Sequence, residues 1–324
     1  MPGRDPMPEW IDPELATLTK DRFDSPDWMF ERKLDGERCI TYHDGSGLRL
    51  MTRNQKVVTS TYPELAAALA AQQASGFVID GEVVTFAGGQ TRFAQLQQRL
   101  GLVHPAADLV KSVPVKYFIF DVLYADGQDL RPRPLAERKQ VLQGLLGYGD
   151  ELRFTEHRTG DGTGYFAEAC RMGWEGLIAK LADAPYRSGR TKDWLKFKCE
   201  SGQEFVIGGF TDPQRSRIGF GALLLGYYSQ DGRLIYAGKV GTGFDQRTLR
   251  RLHDELTAIE QDKPPFDEGD LPRHGVHWTR PDLVGEVGFS EWTTAGQLRH
   301  PRFQGLRRDK SAHEVIREVP QPHG

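Results

Sequence analysis

The sequence predicts a two-domain α+β protein: a domain of antiparallel sheets and helices, followed by a small β-barrel of the OB-fold type. Three observations predict it. The 324 residues exceed the ~100–200 that one domain usually takes, so two cores are expected. The first part of the chain alternates short strand patterns with helical ones. Beyond about residue 202 the pattern changes to short strands between glycine-rich turns with one helix among them, as in a Greek-key barrel. We place the domains at residues 1–201 and 202–324, with flexible backbone at Ser201-Gly202.

Residues 1–25 are rich in proline and charge and show no period, so they read as an irregular lead-in. Residues 28–33, 37–43 and 48–52 read as strands, the last two joined by the turn signal Asp44-Gly45-Ser46-Gly47. Residues 63–72, PELAAALAAQ, are helical, with proline in the first turn. A strand over 77–86 and a helix over 92–100 follow, and 115–124, VKYFIFDVLY, is the most apolar strand of the chain. Helices over 135–146 and 164–172 and strands over 176–181 and 194–198 complete the first domain. The second holds strands over 204–210, 222–228, 234–240 and 283–289. Between the last two lie a helix capped by Asp245, running to about Glu260, and an acidic loop over 262–271.

Composition excludes several classes. No apolar run approaches the ~20 residues of a membrane span, and the N-terminus carries no apolar signal segment, so a cytoplasmic location is expected. Cys39, Cys170 and Cys199 lie far apart and form no C-x-x-C pair, which argues against a zinc ribbon, a thioredoxin-like motif or a disulfide scaffold. His274 and His277 lack a carboxylate or cysteine at ligand spacing and read as loop histidines. The balance of 42 basic against 45 acidic side chains leaves nucleic-acid binding open, because basic residues crowd 187–198 and 299–310 while acids crowd 262–270.

The chemistry gathers in an ordered set of fragments. Glu31-Arg-Lys-Leu-Asp-Gly-Glu-Arg38 puts Lys33 at a strand end before a glycine turn, with Arg38 projecting back toward the same pocket. A lysine nucleophile must lose its proton, whose usual pKa is about 10.4. Neighbouring cations and desolvation lower that value, and Lys180, Lys196 and Lys198 are the candidates. Asp80-Gly-Glu82 ends an apolar strand approach, and Glu175-Gly-Leu-Ile-Ala-Lys180 repeats the device. Glu82 and Glu175 thus offer two carboxylates suited to Mg²⁺, which bridges to substrate phosphates. Trp194-Leu-Lys196-Phe-Lys198 alternates by two, so both lysines share one face, as an anion site requires. Each fragment alone also reads as a solvated charged hairpin or surface charge; four in sequence do not.

This ordered set resembles the covalent nucleotidyltransferase superfamily of ATP-dependent DNA ligases and mRNA capping enzymes. ERKLDGER looks like motif I, Thr52-Arg53-Asn54 motif Ia, Asp80–Glu82 motif III, Phe120–Tyr124 (FDVLY) motif IIIa, EGLIAK motif IV, WLKFK motif V, and Leu306–Lys310 (LRRDK) motif VI. The stretches SRIGFGALLLGYY, YAGKVGTGF and EVGFSEWTTAGQLRHPRFQGLRRDK are similar to the ligase module of bacterial end-joining ligase D. The resemblance implies an ATP-grasp-like nucleotidyltransferase domain followed by the OB-fold domain that carries motif VI.

It further implies that Lys33 attacks the α-phosphate of ATP, that AMP passes to the 5′-phosphate of a nick in duplex DNA, and that the 3′-hydroxyl displaces it. By the same resemblance Glu31 reads the adenine edge, while Phe120 and Ile178 flank its faces. Arg38 and Arg53 hold ribose and phosphate, with Lys180 a neighbour. Glu82 and Glu175 serve Mg²⁺ or Mn²⁺, and Lys196 and Lys198 grip the α-phosphate and depress the pKa of Lys33. Arg308, Asp309 and Lys310 orient pyrophosphate. A monomer acting on DNA in repair and end joining is implied, with a Ku-type end-binding protein as a partner and a bacterial, nucleoid-associated location. The competing readings are an RNA ligase or capping-type guanylyltransferase of the same superfamily, and a non-catalytic nucleic-acid-binding relative.

Overall fold

Period-two alternation gives each sheet of the first half one apolar face and one that carries the chemistry. The computed structural model describes residues 5–199, 202–213 and 217–321. It divides into two units, residues 1–199 with 320–324 and residues 200–319. Ser201 of the expected flexible Ser201-Gly202 backbone, and Glu200 before it, lie outside the described residues.

In the first unit a five-stranded sheet runs, in spatial order, Glu14–Leu18, Gly189–Lys198, Gly176–Leu181, Trp28–Arg32 and His157–Thr159. A second sheet runs Leu152–Phe154, Lys116–Ala125, Phe77–Val84, Glu37–Asp44 and Gly47–Thr52, with Gln128–Asp129 beside Lys116–Ala125. One face of the second sheet, through Cys39, Ile79, Val83, Tyr117 and Ile119, packs under the helices Pro63–Ala70, Phe93–Leu96 and Leu135–Leu145. One face of the first sheet, through Phe30, Leu177, Ala179, Leu195 and Phe197, packs under the helix Gly162–Arg171. The other faces meet, with Trp194 of the first sheet clustered against Ile40, Tyr42, Val78 and Phe120 of the second. The expected strand alternation therefore holds at 194–198: Leu195 and Phe197 go to the helix-covered core, and Lys196 to the inter-sheet face.

Several expectations are corrected here. Residues 14–18, read as irregular, form an edge strand parallel to Gly189–Lys198, a pairing about 175 residues away in sequence that leaves no local period. The helix expected over 92–100 stops at Leu96, because the bonds from Gln98 and Arg99 tighten to their third-previous residues and Arg99 turns inward onto Glu64 and the carbonyls of Thr61 and Val113. Cys170 and Cys199 are joined in a disulfide, which their spacing did not foretell; Cys39 is free and buried.

In the second unit the ladder runs Leu234–Val240, Leu223–Tyr228, Gly202–Thr211, Val276–Gly288 and Glu260–Gln261, with Arg302–Leu306 on the second half of Val276–Gly288. Among the described residues this ladder runs open, so the OB-type domain is not a closed barrel. The helix Gln246–Thr257, capped as expected by the Asp245 carboxylate accepting from the Thr248 N–H at 2.7 Å, buries Leu249, Leu252 and Leu256 against Phe205, Ile207 and Phe303. The strand expected from 283 begins at Val276: Pro281 interrupts the pattern, but it sits where Val276–Gly288 parts from its partner between Trp278 and Leu283. His277 therefore lies on a strand rather than in a loop, its imidazole bonded to Glu260 at 2.7 Å and Asp212 at 2.9 Å. No helix among the described residues is long and apolar enough to cross a membrane.

Candidate active site

Register places Lys196, Ile178, Glu31 and His157 in one row across the first sheet. Lys198 stands opposite Gly176, whose carbonyl accepts from the Lys33 N–H at 2.9 Å. Two glycines make this possible. Gly176 has φ +149°, and a β-carbon there would enter the Phe197 carbonyl; one on Gly36 would enter the Val83 carbonyl. Only a bare backbone brings the motif I turn this close to the second sheet.

Lys33 Nζ lies 2.5 Å from Glu175 Oε2. Burial pushes the Lys33 amine down and so does Lys198, but Glu175, helped by Asp35, outweighs both and leaves its pKa above the ordinary value. The expected depression by the neighbouring lysines is thus reversed in this state. In return, Glu175 sits below the usual carboxylate range: burial opposes its charge, and Lys33, Lys198 and Lys196 overcome that.

Glu31 is 2% exposed and carries two ammoniums, Lys139 Nζ at 2.6 Å on one oxygen and Lys180 Nζ at 2.7 Å on the other. Burial works against its charge, yet the two lysines hold the carboxyl below its ordinary range. Lys180 answers differently: burial, against the pull of Glu31, drops it to about 8. Its Nζ lies 4.0 Å from the ring centres of both Phe120 and Trp194.

From the second sheet, Arg38 grips Asp80 through two bonds of 2.5 and 2.6 Å, and its guanidinium lies 4.6 Å from the Phe120 ring centre. Asp80 is fully buried and also accepts from the Tyr186 hydroxyl at 2.7 Å; Tyr186 in turn accepts from the Glu14 N–H. Glu82 stands opposite Arg38 in the ladder and adds to the negative field on it. Phe120 belongs to the apolar cluster between the sheets, with the two cations against its ring. Arg53 follows the end of the strand Gly47–Thr52, half-buried in the turn.

The structure thus gathers Lys33, Glu175, Lys196, Lys198, Glu31, Ile178 and Lys180 on one sheet and sets Arg38, Glu82 and Phe120 on the sheet facing it. The motif VI residues lie in the second unit and divide by environment. Arg308 is exposed and donates to both oxygens of Glu255 at 2.6 and 2.7 Å. Asp309 is buried and held by Arg307 at 3.0 and 2.9 Å, and Lys310 pairs with Glu204.

Lys139, Asp80, Tyr186 and Arg307 were missed as site residues. Lys139 had a signal: Leu135, Arg138, Lys139 and Leu142 are the buried residues of their helix and follow the core spacing i, i+3, i+4, i+7, which an ordinary solvated lysine does not.

The sequence family described as ATP dependent DNA ligase domain matches residues 13–198, and the ATP dependent DNA ligase C terminal region matches residues 216–310. The chain belongs to the ATP-dependent DNA ligases. It is 40% identical over 98% of its length to the multifunctional non-homologous end joining protein LigD of Pseudomonas aeruginosa, and 36% identical over 96% to that of Mycolicibacterium smegmatis. It spans only 38% and 40% of those two relatives. The solved structure of mycobacterial DNA ligase D complexed with ATP and MES superposes with a TM-score of 0.67 at 36% identity, over 94% of this chain and 98% of that one. These ligase similarities favour the nucleotidyltransferase ligase fold and the DNA ligase reading over a capping enzyme.

Proposed function

We propose that this chain seals 3′-hydroxyl/5′-phosphate nicks in duplex DNA using ATP, through AMP carried on Lys33. The observation that carries the reading is the placement of Lys33 against Glu175 at 2.5 Å, on a sheet whose same region holds Lys196 and Lys198. Phosphoryl transfer asks for positioning and charge neutralisation more than for acid–base groups, and this site supplies cations, not a hydrolytic triad. The Lys33 amine attacks the α-phosphorus, a P–N bond forms, and the α–β P–O bond breaks with pyrophosphate leaving. The Lys33 ammonium parts from Glu175 and gives its proton to solvent before it attacks. Lys196 and Lys198 neutralise the α-phosphate, Arg38 and Arg53 hold ribose and phosphate, and Glu31 with Phe120 and Ile178 receives the adenine. Arg308, with Asp309 and Lys310 ordering its loop, orients the leaving pyrophosphate.

A divalent cation, Mg²⁺ or Mn²⁺, fits the donor set. Among the described residues no group of three His, Cys, Asp or Glu side chains forms a metal cage, while Glu82 and Glu175 offer the one or two carboxylates that such a cation takes alongside phosphate and water. Bound there, it would withdraw charge from the phosphates. We extend the proposal to end joining by a monomer working with a Ku-type end-binding protein, in the bacterial cytoplasm and at the nucleoid; the names of the LigD relatives support the end-joining part. The test is sealing of a 5′-³²P-labelled nicked duplex with ATP and Mg²⁺ or Mn²⁺. A ligated product dependent on Lys33 is expected; activity only on a nicked RNA duplex contradicts the DNA reading.

A further inference from the structure

We propose that Lys139 is the positioning residue of the nucleobase end of the site, fixing Glu31 and Phe120 together so that one purine edge is accepted. The inference rests on the ligase reading above, which assigns the base edge to Glu31 and a base face to Phe120.

Lys139 is 3% exposed, on the inward stripe of the helix Leu135–Leu145. An ammonium has three N–H donors, and Lys139 Nζ has Glu31 Oε1 at 2.6 Å, the Thr155 carbonyl at 3.2 Å and the Phe120 carbonyl at 3.3 Å. The Phe154 ring centre lies 4.8 Å away. With two carbonyls taking its N–H groups and Glu31 paired to its charge, Lys139 is committed inside the protein, so its effect on a nucleotide passes through the groups it holds. Those groups are the edge-reading carboxylate and the backbone of the aromatic residue beside it. Lys180 completes the frame from the sheet, on the other Glu31 oxygen and over the Phe120 ring. The preceding Arg138 does none of this, being committed to Asp121 through two 2.8 Å bonds.

A carboxylate clamped between two ammoniums stays ionised. It accepts from the exocyclic amine of adenine and repels the carbonyl oxygen that guanine carries there. Without Lys139, Glu31 turns toward Lys180 alone and the Phe120 backbone loses a tether, so discrimination between base edges falls while the phosphate chemistry around Lys33 is untouched.

The experiment is self-adenylation of the full chain with ATP and with purine riboside triphosphate, which lacks the 6-amino group, for wild type, Lys139→Met and Lys139→Arg, with folding checked by thermal melting. Wild type is expected to favour ATP by about tenfold or more. Lys139→Met is expected to lose that preference, with KM for ATP raised about tenfold and kcat changed by less than about threefold. Lys139→Arg restores part of the preference. A folded Lys139→Met that keeps the wild-type preference overturns the proposal, as does a fall in kcat with the preference intact. Should the methionine variant not fold, Lys139→Gln, which keeps N–H donors but removes the charge from Glu31, is read in its place, and an unchanged preference there overturns the proposal equally. A wild type that forms no adenylate contradicts the ligase reading and takes this inference with it.

Discussion

Nζ of Lys33 and Oε2 of Glu175 stand 2.5 Å apart, so the proposed nucleophile is masked by the carboxylate it must leave. Glu175 is what lifts the Lys33 pKa against burial and Lys198. Glu175→Gln therefore lowers that pKa and frees the amine. At pH 8, without nucleotide, an amine-reactive ester should label Lys33 several-fold faster in Glu175→Gln than in wild type, read by peptide mass spectrometry. Equal labelling would show that Glu175 does not control the amine.

Gly36 tests the backbone geometry of motif I. An alanine β-carbon would meet the Val83 carbonyl and, at 2.6 Å, Cγ1 of Val84, whereas one on Gly45 in the next turn meets nothing within 4 Å. Gly36→Ala should cost about 1–3 kcal/mol, in the range of overpacking, and Gly45→Ala under about 0.5 kcal/mol. Urea unfolding measures both; equal stability of the two variants counts against the close approach.

Motif VI should separate into an exposed working residue and a buried support. Arg308→Ala removes an exposed pair with Glu255, worth at most about 1 kcal/mol, so stability barely moves while self-adenylation falls more than sealing of a pre-adenylated nick. Asp309→Ala takes the bidentate partner from Arg307, which is partly buried and keeps Glu286 at 3.8 Å, and should cost about 1–3 kcal/mol. Melting curves and the two half-reactions check this. A strongly destabilised Arg308→Ala would reverse the assignment.

Lys180 carries a pH signature. Its pKa falls from 10.5 unfolded to about 8 folded, so between those values the unfolded chain binds more protons. Its charged form penalises folding below about pH 8, and the penalty is relieved as pH rises toward 10.5. Wild type should gain stability relative to Lys180→Met across that window, measured by urea unfolding at stepped pH. A relative loss of stability would show that Glu31 dominates Lys180 instead.

Much of this was legible because strand alternation is local. The WLKFK fragment revealed which lysines share a face, and the glycine of DGER marked a turn, while the close backbone approaches at Gly36 and Gly176 came only with the structure. What escaped was long-range. The strand Glu14–Leu18 pairs with a segment far along the chain, and the Arg38–Asp80–Tyr186 chain joins residues 38, 80 and 186 through side chains alone. The sign of the Lys33 shift escaped for the same reason: sequence shows that Lys198 and Glu175 are both near, but only the 2.5 Å contact decides which charge wins.

Whether Lys33 takes AMP from ATP is read by incubation with α-labelled ATP or GTP and a divalent metal, followed by denaturing electrophoresis, intact mass and peptide mapping. An acid-labile label from ATP alone is expected, mapped to Lys33 and absent from Lys33→Ala. A label from GTP, a label retained in Lys33→Ala, or no label on protein shown by mass to start unadenylated would contradict it.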